Sequence, residues 1–252
     1  MLEITDDWEF NVLDVYNYRK AGKFKVLFDF IRRRHHSIQG DIVEAGVFRG
    51  RSLIAIGMLL KELGSDKRVF GFDSFSGFPP VYDRKDALEE FDKLFSRNEI
   101  TKSHLERVNK NIEWRKQISD CEINVKNISS SQDFSQTNLD LVKRKIELVG
   151  LDNIILIDGP FSKTMSSQAQ VPEEIMAVLI DCDLYASYLQ TLSFVWPRLS
   201  SGGLVYLDEY YSLKFPGARV ATNEFLAGKD AHLRRVENSK DDFERWYLNK
   251  PI

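Results

Sequence analysis

The sequence predicts an α/β fold: a seven-stranded, mostly parallel sheet with an antiparallel C-terminal edge hairpin and helices on both faces. Five apolar segments alternate with helical segments, which is the order of a parallel sheet with crossover helices. The segment 176–180 is apolar and bounded by charge, as expected of a strand buried on both faces. Two last strand-like segments, 233–236 and 243–248, are separated only by 237–242 and predict the antiparallel pair. Length and a hydrophobic fraction of 43% favour a single domain over 1–252.

The composition indicates a soluble protein of a reducing compartment. The formal net charge is −3 with both signs mixed, so nothing points to nucleic acid or to an anionic membrane surface. Only Cys121 and Cys182 occur, which is too few for a disulfide scaffold. The N-terminus lacks the features of a signal peptide, and no apolar run approaches the ~18 residues of a membrane span. The expectation is a cytoplasmic protein.

Residues 1–38 are predicted to be helical and to form a lid, with Tyr16, Tyr18 and Arg19 over the site. The segment ends in the basic run 32–36. This run either holds a phosphate-bearing substrate or is a solvated helix end, where cations are favourable near the C-terminal dipole. The second interpretation is preferred because such helix ends are common.

The first strand, at 42–43, leads into a turn with Glu44, Gly46 and Gly50 and then into a helix with Ser52 near its start. The glycines let the backbone approach a ligand, and the helix offers unpaired N–H groups to it. The spacing is not the G-x-G-x-x-G of dinucleotide-binding proteins, and an acid here would repel phosphate. It suits a positively charged group such as the ammonium of a methionine-like moiety.

The second and third strands also end in acids. The second ends in Asp73, followed by Ser74. After a strand, glycine turn and helix, this position favours an acid that accepts the ribose hydroxyls of an adenosine over one that only caps the turn. The third ends in Asp158 and Gly159. Asp158 either approaches an adenine amino group or caps its own turn, and both interpretations stay open.

Between these strands lies a charged segment, 81–130, that is predicted to be a helical insertion near the substrate pocket. His104 falls within it and is interpreted as an isolated surface histidine. After it, Ser135 is predicted to cap a helix over 139–149 that ends at Gly150.

The fourth and fifth strands predict a metal site. The fourth ends in Asp181 and Asp183, and the fifth ends in Asp208 and Glu209. Neighbouring parallel strands would bring these acids to one crevice at their carboxyl ends. Like charges that close repel unless a cation or shared protons neutralise them, and oxygen ligands suit Mg²⁺. Helix capping alone does not require four acids on two strands.

Four stretches resemble one family. They are VEAGVFRGRS (43–52), FDSFSGFP (72–79), LIDCDLYAS (179–187) and GGLVYLDEY (202–210). They look like the macrocin O-methyltransferase (TylF) family of S-adenosylmethionine-dependent, Mg²⁺-dependent sugar O-methyltransferases, and the resemblance runs from about residue 40 to 228. It implies a Rossmann-like class I methyltransferase fold, a small-molecule sugar substrate, no nucleic-acid or membrane partner, and a homo-oligomer.

The resemblance also implies roles for individual residues. The cofactor S-adenosylmethionine would be bound by Glu44, Gly46, Gly50, Ser52, Asp73 and Ser74, with Asp158 and Gly159 as further candidates. Mg²⁺ would be bound by Asp181, Asp208 and Glu209, and Asp183 would be the general base. The chain departs from the family pattern at Glu209, where Asp is more frequent, and at Cys182, where glycine is common.

The implied reaction is methyl transfer to a hydroxyl of a sugar nucleotide or glycoside, with Mg²⁺-assisted deprotonation of a vicinal diol. A catechol-type phenol is an alternative acceptor because the same metal chemistry serves any vicinal diol. An NAD-dependent sugar-modifying enzyme is a second alternative, although the sequence lacks G-x-G-x-x-G and a plausible catalytic Tyr-x-x-x-Lys pair. A third is a catalytically inactive nucleotide-binding or scaffold protein.

Overall fold

The computed structural model describes residues 2–166, 171–236 and 243–251. In these residues the chain forms seven strands: β1 Asp41–Ala45, β2 Val69–Asp73, β3 Ile154–Asp158, β4 Ile175–Ile180, β5 Leu199–Leu207, β6 His232–Arg235 and β7 Trp246–Asn249. The α-helices are α1 Asp7–Val12, α2 Lys25–Arg34, α3 Arg51–Glu62, α4 Glu90–Ser96, α5 Lys102–Gln117, α6 Leu139–Val149, α7 Phe161–Thr164, α8 Tyr185–Val195 and α9 Pro216–Leu226. Short 3₁₀ turns lie at Arg84–Asp86 and Trp196–Arg198.

The strands form one sheet in the order β3-β2-β1-β4-β5-β7-β6. Strands β1 to β5 pair in parallel, whereas β7 is antiparallel to both of its neighbours, β5 and β6. The predicted fold class is therefore confirmed, and the last strand inserts between β5 and β6. The predicted connection at 237–242 lies outside the described residues.

The sheet is covered on both faces because its central strand is apolar on both. All six residues of β4 are buried. Leu179 belongs to a core shared with α2, α3 and α6, and its neighbour Val178 belongs to a core shared with α8 and α9. Successive strand side chains point to opposite faces, so an uninterrupted apolar run is what a doubly covered strand requires.

The register of the parallel strands places the acids side by side. Ala45 pairs with Ile180, and Ile180 pairs with Leu207. The residues that follow these three therefore leave the same edge of the sheet, next to one another. The fold thus positions the glycine turn after β1 beside the acids that follow β4 and β5.

Two local predictions are corrected. The N-terminal region is not one continuous helical segment, because α1 and α2 are separated by an irregular stretch at 13–24. The cap of α6 is Asn138 rather than Ser135, since its side chain accepts hydrogen bonds from the backbone N–H groups of Asp140 and Leu141. The predicted C-terminal end is confirmed at Gly150, whose φ is 74°.

Among the described residues, no helix is long and apolar enough to cross a membrane.

Candidate functional site

Three carboxylates meet where β4 and β5 end. One side-chain oxygen from each of Asp181, Asp208 and Glu209 lies within 4.8 Å of the others. The Asp208 side chain is only 2% exposed, and its Oδ1 has no hydrogen-bond partner among the described residues. A buried carboxylate oxygen without a donor is costly unless a cation completes its environment. An all-oxygen donor set with one orphaned atom fits a hard divalent metal such as Mg²⁺.

A lysine contacts two of these acids. Lys23 Nζ lies 2.5 Å from Asp208 Oδ2 and 3.6 Å from Asp181 Oδ2. Burial and the charge of Asp181 raise the pKa of Asp208 to about 7, and Lys23 opposes that rise. Burial would lower the pKa of Lys23, but the charges of the two carboxylates outweigh it and raise the pKa. No sequence pattern predicts this contact, because Lys23 lies in the irregular stretch between α1 and α2.

Asp183 has an unusual backbone conformation. Its φ is 60°, in the left-handed region, and the next residue, Leu184, donates its N–H to Cys182 O at 2.6 Å. The side chain is buried beside the cluster formed by Asp181, Asp208 and Glu209. Burial, followed by the charges of Glu209 and Asp181, raises the pKa of Asp183 well above its usual range. A strained, buried acid at a cavity wall is typical of a functional position.

A buried tyrosine joins the two acidic strand ends. The Tyr188 hydroxyl donates to Ile180 O at 3.0 Å and accepts from Glu209 N–H at 2.9 Å. Ile180 immediately precedes Asp181, and Tyr188 itself is 0% exposed. The hydroxyl therefore fixes the spacing between the strand tips that carry the three carboxylates.

Mn²⁺ serves as a probe for binding of a divalent metal to the three carboxylates. Replacing Tyr188 with Phe is expected to weaken Mn²⁺ binding by about tenfold, because loss of a partner that orients metal ligands lowers metal affinity by about that factor. The loss of both bonds should also lower the free energy of unfolding by about 1–3 kcal/mol. The control is Tyr18→Phe, which removes another buried hydroxyl, donated to Glu62 Oε2 at 2.7 Å. Metal titration and denaturant unfolding of both variants test this. Unchanged Mn²⁺ affinity in the Tyr188 variant would contradict a positioning role.

A second buried contact holds the start of α8. Asp86 Oδ1 accepts the N–H of Tyr185 at 2.7 Å, whereas Asp86 Oδ2 has no partner among the described residues. Beside it, Lys85 Nζ donates to the Tyr185 hydroxyl at 2.9 Å and to Glu224 at 2.8 Å. The segment before α4 is thus attached to the residue two positions after Asp183. Burial raises the pKa of Asp86 to about 6.

This raised pKa predicts a pH-dependent stability difference in an Asp86→Asn variant. A carboxyl whose folded pKa lies above its unfolded value of 3.8 stabilises the fold at low pH and loses that contribution as pH rises through about 6. Asn keeps an acceptor for the Tyr185 N–H and has no charge to bury. The stability of the variant relative to the natural chain should therefore rise by up to about 3 kcal/mol between about pH 4 and pH 8. Urea unfolding at both pH values measures this, and a pH-independent difference would contradict it.

The glycine turn after β1 lies against the acidic tip of β4. A Cβ on Gly46 would stand 2.1 Å from Asp181 O, and its φ is 93°. Only glycine fits a positive φ this close to another backbone. Gly50, at φ 76°, caps α3 and packs on Val142. Packing within the protein therefore requires glycine at both positions. This requirement is independent of the close approach of a ligand that the sequence predicts.

The acid at the tip of β2 organises this turn. Asp73 Oδ2 accepts the N–H groups of Val47 and Phe48, each at 2.8 Å, and Oδ1 accepts that of Phe75 at 2.7 Å. Asp73 thus makes the contacts of an acid that caps the turn, which is the alternative to ribose binding. Its Oδ1 accepts one bond in the described residues, so it retains acceptor capacity towards the cavity. Ser74 bonds within its own turn, with Oγ donating to Gly77 O at 3.2 Å.

Glu44 lies beneath the turn, not on the cavity wall. It is 0% exposed, and its Oε1 accepts a hydrogen bond from the Ser52 hydroxyl at 2.7 Å. Burial raises its pKa well above the usual range, although the bond from Ser52 opposes the rise. Ser52 lines the cavity, whereas Glu44 does not.

Other residues singled out in the sequence lie elsewhere. Asp158 is exposed, and neither it nor Gly159 lines the cavity; Gly159 donates its N–H to Asp73 O at 2.9 Å. The prediction of a surface His104 is wrong: the ring is 3% exposed, stacks on Tyr211 and contacts Ser212 O at 2.7 Å through Nε2. An amphipathic pattern in α5 was the available signal, since His104 and Val108 are its buried residues.

The glycine turn and the acids open into one cavity of about 870 Å³, a volume typical of small-molecule sites. Of the predicted site residues, those on its wall are Gly46, Ser52, Asp73, Ser74, Asp181, Asp183 and Glu209. The irregular N-terminal stretch contributes Tyr16 and Lys23, and the segment around α4 and α5 contributes Val81 and Ser129. One space thus joins the turn that follows β1 to the acidic tips of β4 and β5.

Comparison with known proteins gives relatives of one chemical class. The chain is 29% identical to the Mycinamicin III 3''-O-methyltransferase of Micromonospora griseorubida over 77% of this chain and 62% of that protein. It is 30% identical to the 8-demethyl-8-(2,3-dimethoxy-alpha-L-rhamnosyl)-tetracenomycin-C 4'-O-methyltransferase of Streptomyces olivaceus over 69% of this chain and 54% of that protein. The chain thus spans between 54% and 62% of the length of these two relatives.

Solved structures share the fold. The O-methyltransferase NovP superposes with a TM-score of 0.62 at 21% identity, covering 90% of this chain and 80% of that one. The O-methyltransferase TomG of Streptomyces achromogenes, described in complex with SAM, gives a TM-score of 0.52 at 13% identity over 99% of this chain and 92% of that one. At these identities the likeness establishes the class of fold.

The family model described as Macrocin-O-methyltransferase (TylF) matches residues 19–126 and 115–238. These residues include the glycine turn and both acidic strand ends, and the resemblance inferred from the motifs is confirmed. The chain belongs to the macrocin O-methyltransferase (TylF) family.

Proposed function

We propose that this protein transfers a methyl group from S-adenosylmethionine to a hydroxyl of a sugar, carried as a sugar nucleotide or a glycoside, with the help of Mg²⁺. The observation that carries the proposal is the shared cavity, which joins the glycine turn after β1 to Asp181 and Glu209, two of the three clustered carboxylates after β4 and β5. A methyl donor and an acceptor held at these two places would lie within one cavity. Proximity of that kind is a large part of catalysis in group transfer.

The choice of acceptor rests on the relatives. The relative from Streptomyces olivaceus is named for a substrate with a rhamnosyl group, and both relatives are O-methyltransferases. The cavity is large enough for a cofactor and a small sugar together, at about 870 Å³.

The cofactor side of the cavity is formed by Gly46, Ser52, Asp73 and Ser74. S-adenosylmethionine would supply the methyl group there as a sulfonium. Asp73 has acceptor capacity for ribose hydroxyls, and Gly46 lines the cavity beside it. Glu44 acts through Ser52, because its carboxyl accepts the serine hydroxyl from below and fixes its orientation.

The acceptor side is formed by the acids. Asp181, Asp208 and Glu209 would hold Mg²⁺, which would favour ionisation of a neighbouring hydroxyl as a Lewis acid. Asp183 faces the same cavity and would take the proton from the acceptor hydroxyl as general base. Tyr188 and Asp86 hold these acids in position, because they fix the ends of β4, β5 and α8. The irregular stretch 13–24 and the segment 81–130 would form walls over the acceptor.

The test is methyl transfer from labelled S-adenosylmethionine to a set of sugar nucleotides and glycosides, with Mg²⁺ and after chelation with EDTA. The expected result is Mg²⁺-dependent labelling of at least one sugar with vicinal hydroxyls. Labelling only of catechols would favour the phenol alternative, whereas thermal stabilisation by NAD and not by S-adenosylmethionine would contradict the proposal. Full turnover after chelation would show that the metal assignment is wrong.

A further inference from the structure

Lys23 already contacts two of the three carboxylates that would bind a metal. Its Nζ is 2.5 Å from Asp208 Oδ2, and metal–oxygen distances to hard divalent cations are about 2.0–2.6 Å. The same ammonium is 3.6 Å from Asp181 Oδ2, so it lies between two of the three carboxylates. The other nearby ammonium, that of Lys214, lies 3.7 Å from Glu209 Oε1. Two cations cannot share the space between Asp181 and Asp208 without strong repulsion.

The backbone of Lys23 is fixed, but its side chain is not enclosed. The Lys23 carbonyl accepts a hydrogen bond from the Tyr206 hydroxyl at 2.6 Å, and the adjacent Phe24 ring packs on the Tyr206 ring. Tyr206 belongs to β5, two residues before Asp208, so the lysine is anchored beside the acids. Its side chain is 29% exposed and lines the cavity. The flexible four-carbon stem can therefore carry the ammonium into the cavity while the backbone stays in place.

We propose that Lys23 is a displaceable internal cation of the acid cluster. Without metal, its ammonium offsets part of the negative charge of Asp208 and Asp181 and keeps the strand tips together. A divalent metal that binds the same carboxylates drives the ammonium out into the cavity. Metal binding is therefore a competition, and the affinity of the cluster for metal is lower than its carboxylates alone would give. The proposal rests on the metal site of the proposed function.

The competition is tested by titrating the full chain with Mn²⁺ and following free Mn²⁺ by electron paramagnetic resonance. Lys23→Met keeps the length of the side chain and removes the competing charge, so it should bind Mn²⁺ at least tenfold more tightly than the natural chain. Lys20→Met is the matched control. It lies on the same stretch, pairs with Asp7 at 2.9 Å, and should leave the affinity unchanged. Circular dichroism checks folding, and Lys23→Gln replaces the first variant if that one does not fold.

Equal or weaker Mn²⁺ binding by the Lys23 variants would overturn the competition while leaving the metal site intact. Absence of Mn²⁺ binding in the natural chain and in both folded variants would instead overturn the metal site and the proposal with it. A second measurement uses the natural chain alone. Reductive methylation of lysines, read by mass spectrometry, should modify Lys23 several-fold faster with saturating Mn²⁺, relative to Lys20. A rate at Lys23 that Mn²⁺ does not change would contradict the displacement.

Discussion

An Asp181→Asn variant is expected to lose at least about 10³-fold in kcat/KM and to bind Mn²⁺ at least about 100-fold more weakly. The carboxylate is one of three whose oxygens lie within 4.8 Å, so the substitution replaces one of three anionic ligands with a weaker neutral amide oxygen and removes one negative charge. Lewis-acid stabilisation by a bound metal contributes several kcal/mol, and each 1.36 kcal/mol corresponds to about a tenfold change in rate. Outer partners of metal ligands already change affinity by about 10–100-fold, and a direct ligand should exceed that.

The Asn variant should remain folded. The Asp181 side chain is 25% exposed, and the Lys23 ammonium approaches it only to 3.6 Å. Asp66→Asn is the control, because Asp66 is exposed in the turn that precedes β2, at the opposite end of the sheet. Methyl-transfer kinetics, Mn²⁺ titration and thermal unfolding of the two variants distinguish a metal defect from a folding defect. Turnover in the Asp181 variant within tenfold of the natural chain would contradict metal ligation by this residue.

The acidic cluster could be predicted because it depends on sheet geometry alone. Parallel strands end at the same edge, and apolar runs such as β4 mark where each strand stops. The positions of Asp181 and Asp208 along the chain then determine their proximity in space, without knowledge of any side-chain contact. The same reasoning gave the sheet and its antiparallel last pair, since these follow from the order and length of the apolar segments.

The contacts that complete the site could not be predicted in this way. Lys23 lies 185 residues before Asp208, and Asp86 lies 99 residues before Tyr185 in a segment without apolar periodicity. Such contacts depend on how irregular segments pack, and a single sequence carries no pattern for that. Tyr188 is different, because its place on α8 follows from the helix that begins at Tyr185. Its bridging bonds, however, depend on side-chain direction within the core.

Two residues at the glycine turn, Gly46 and Asp73, have structural roles in addition to the ligand-binding role that the sequence predicts. The sequence predicts a ligand-binding role for Gly46 and Asp73, and both lie on the cavity wall. The structure shows that Gly46 is also needed for the approach to Asp181, and that Asp73 also holds the N–H groups of Val47 and Phe48. Substitution at either position would therefore disturb the acid cluster as well as the cofactor side. Neither is suited to separating the roles of cofactor and metal.

Asp183 is suited to separating the metal from the base. An Asp183→Asn variant is expected to lose about 10²–10⁴-fold in kcat, the range for removal of a general base, while its Mn²⁺ affinity stays within a few-fold of the natural chain. Asn tolerates the left-handed φ of 60° at least as well as Asp, so the turn after β4 should keep its shape, and Asn cannot take a proton from the acceptor.

The comparison with Asp181→Asn gives the decisive pattern. A metal ligand should change both Mn²⁺ affinity and turnover, whereas a base that faces the cavity should change turnover alone. Single-turnover methyl transfer at saturating Mn²⁺ measures the chemical step in both variants and removes any contribution from incomplete metal loading. If Asp183→Asn weakened Mn²⁺ binding as much as Asp181→Asn, Asp183 would be a fourth metal ligand. If it transferred methyl groups within threefold of the natural rate, the strain and burial at this residue would serve the fold and not the proton transfer.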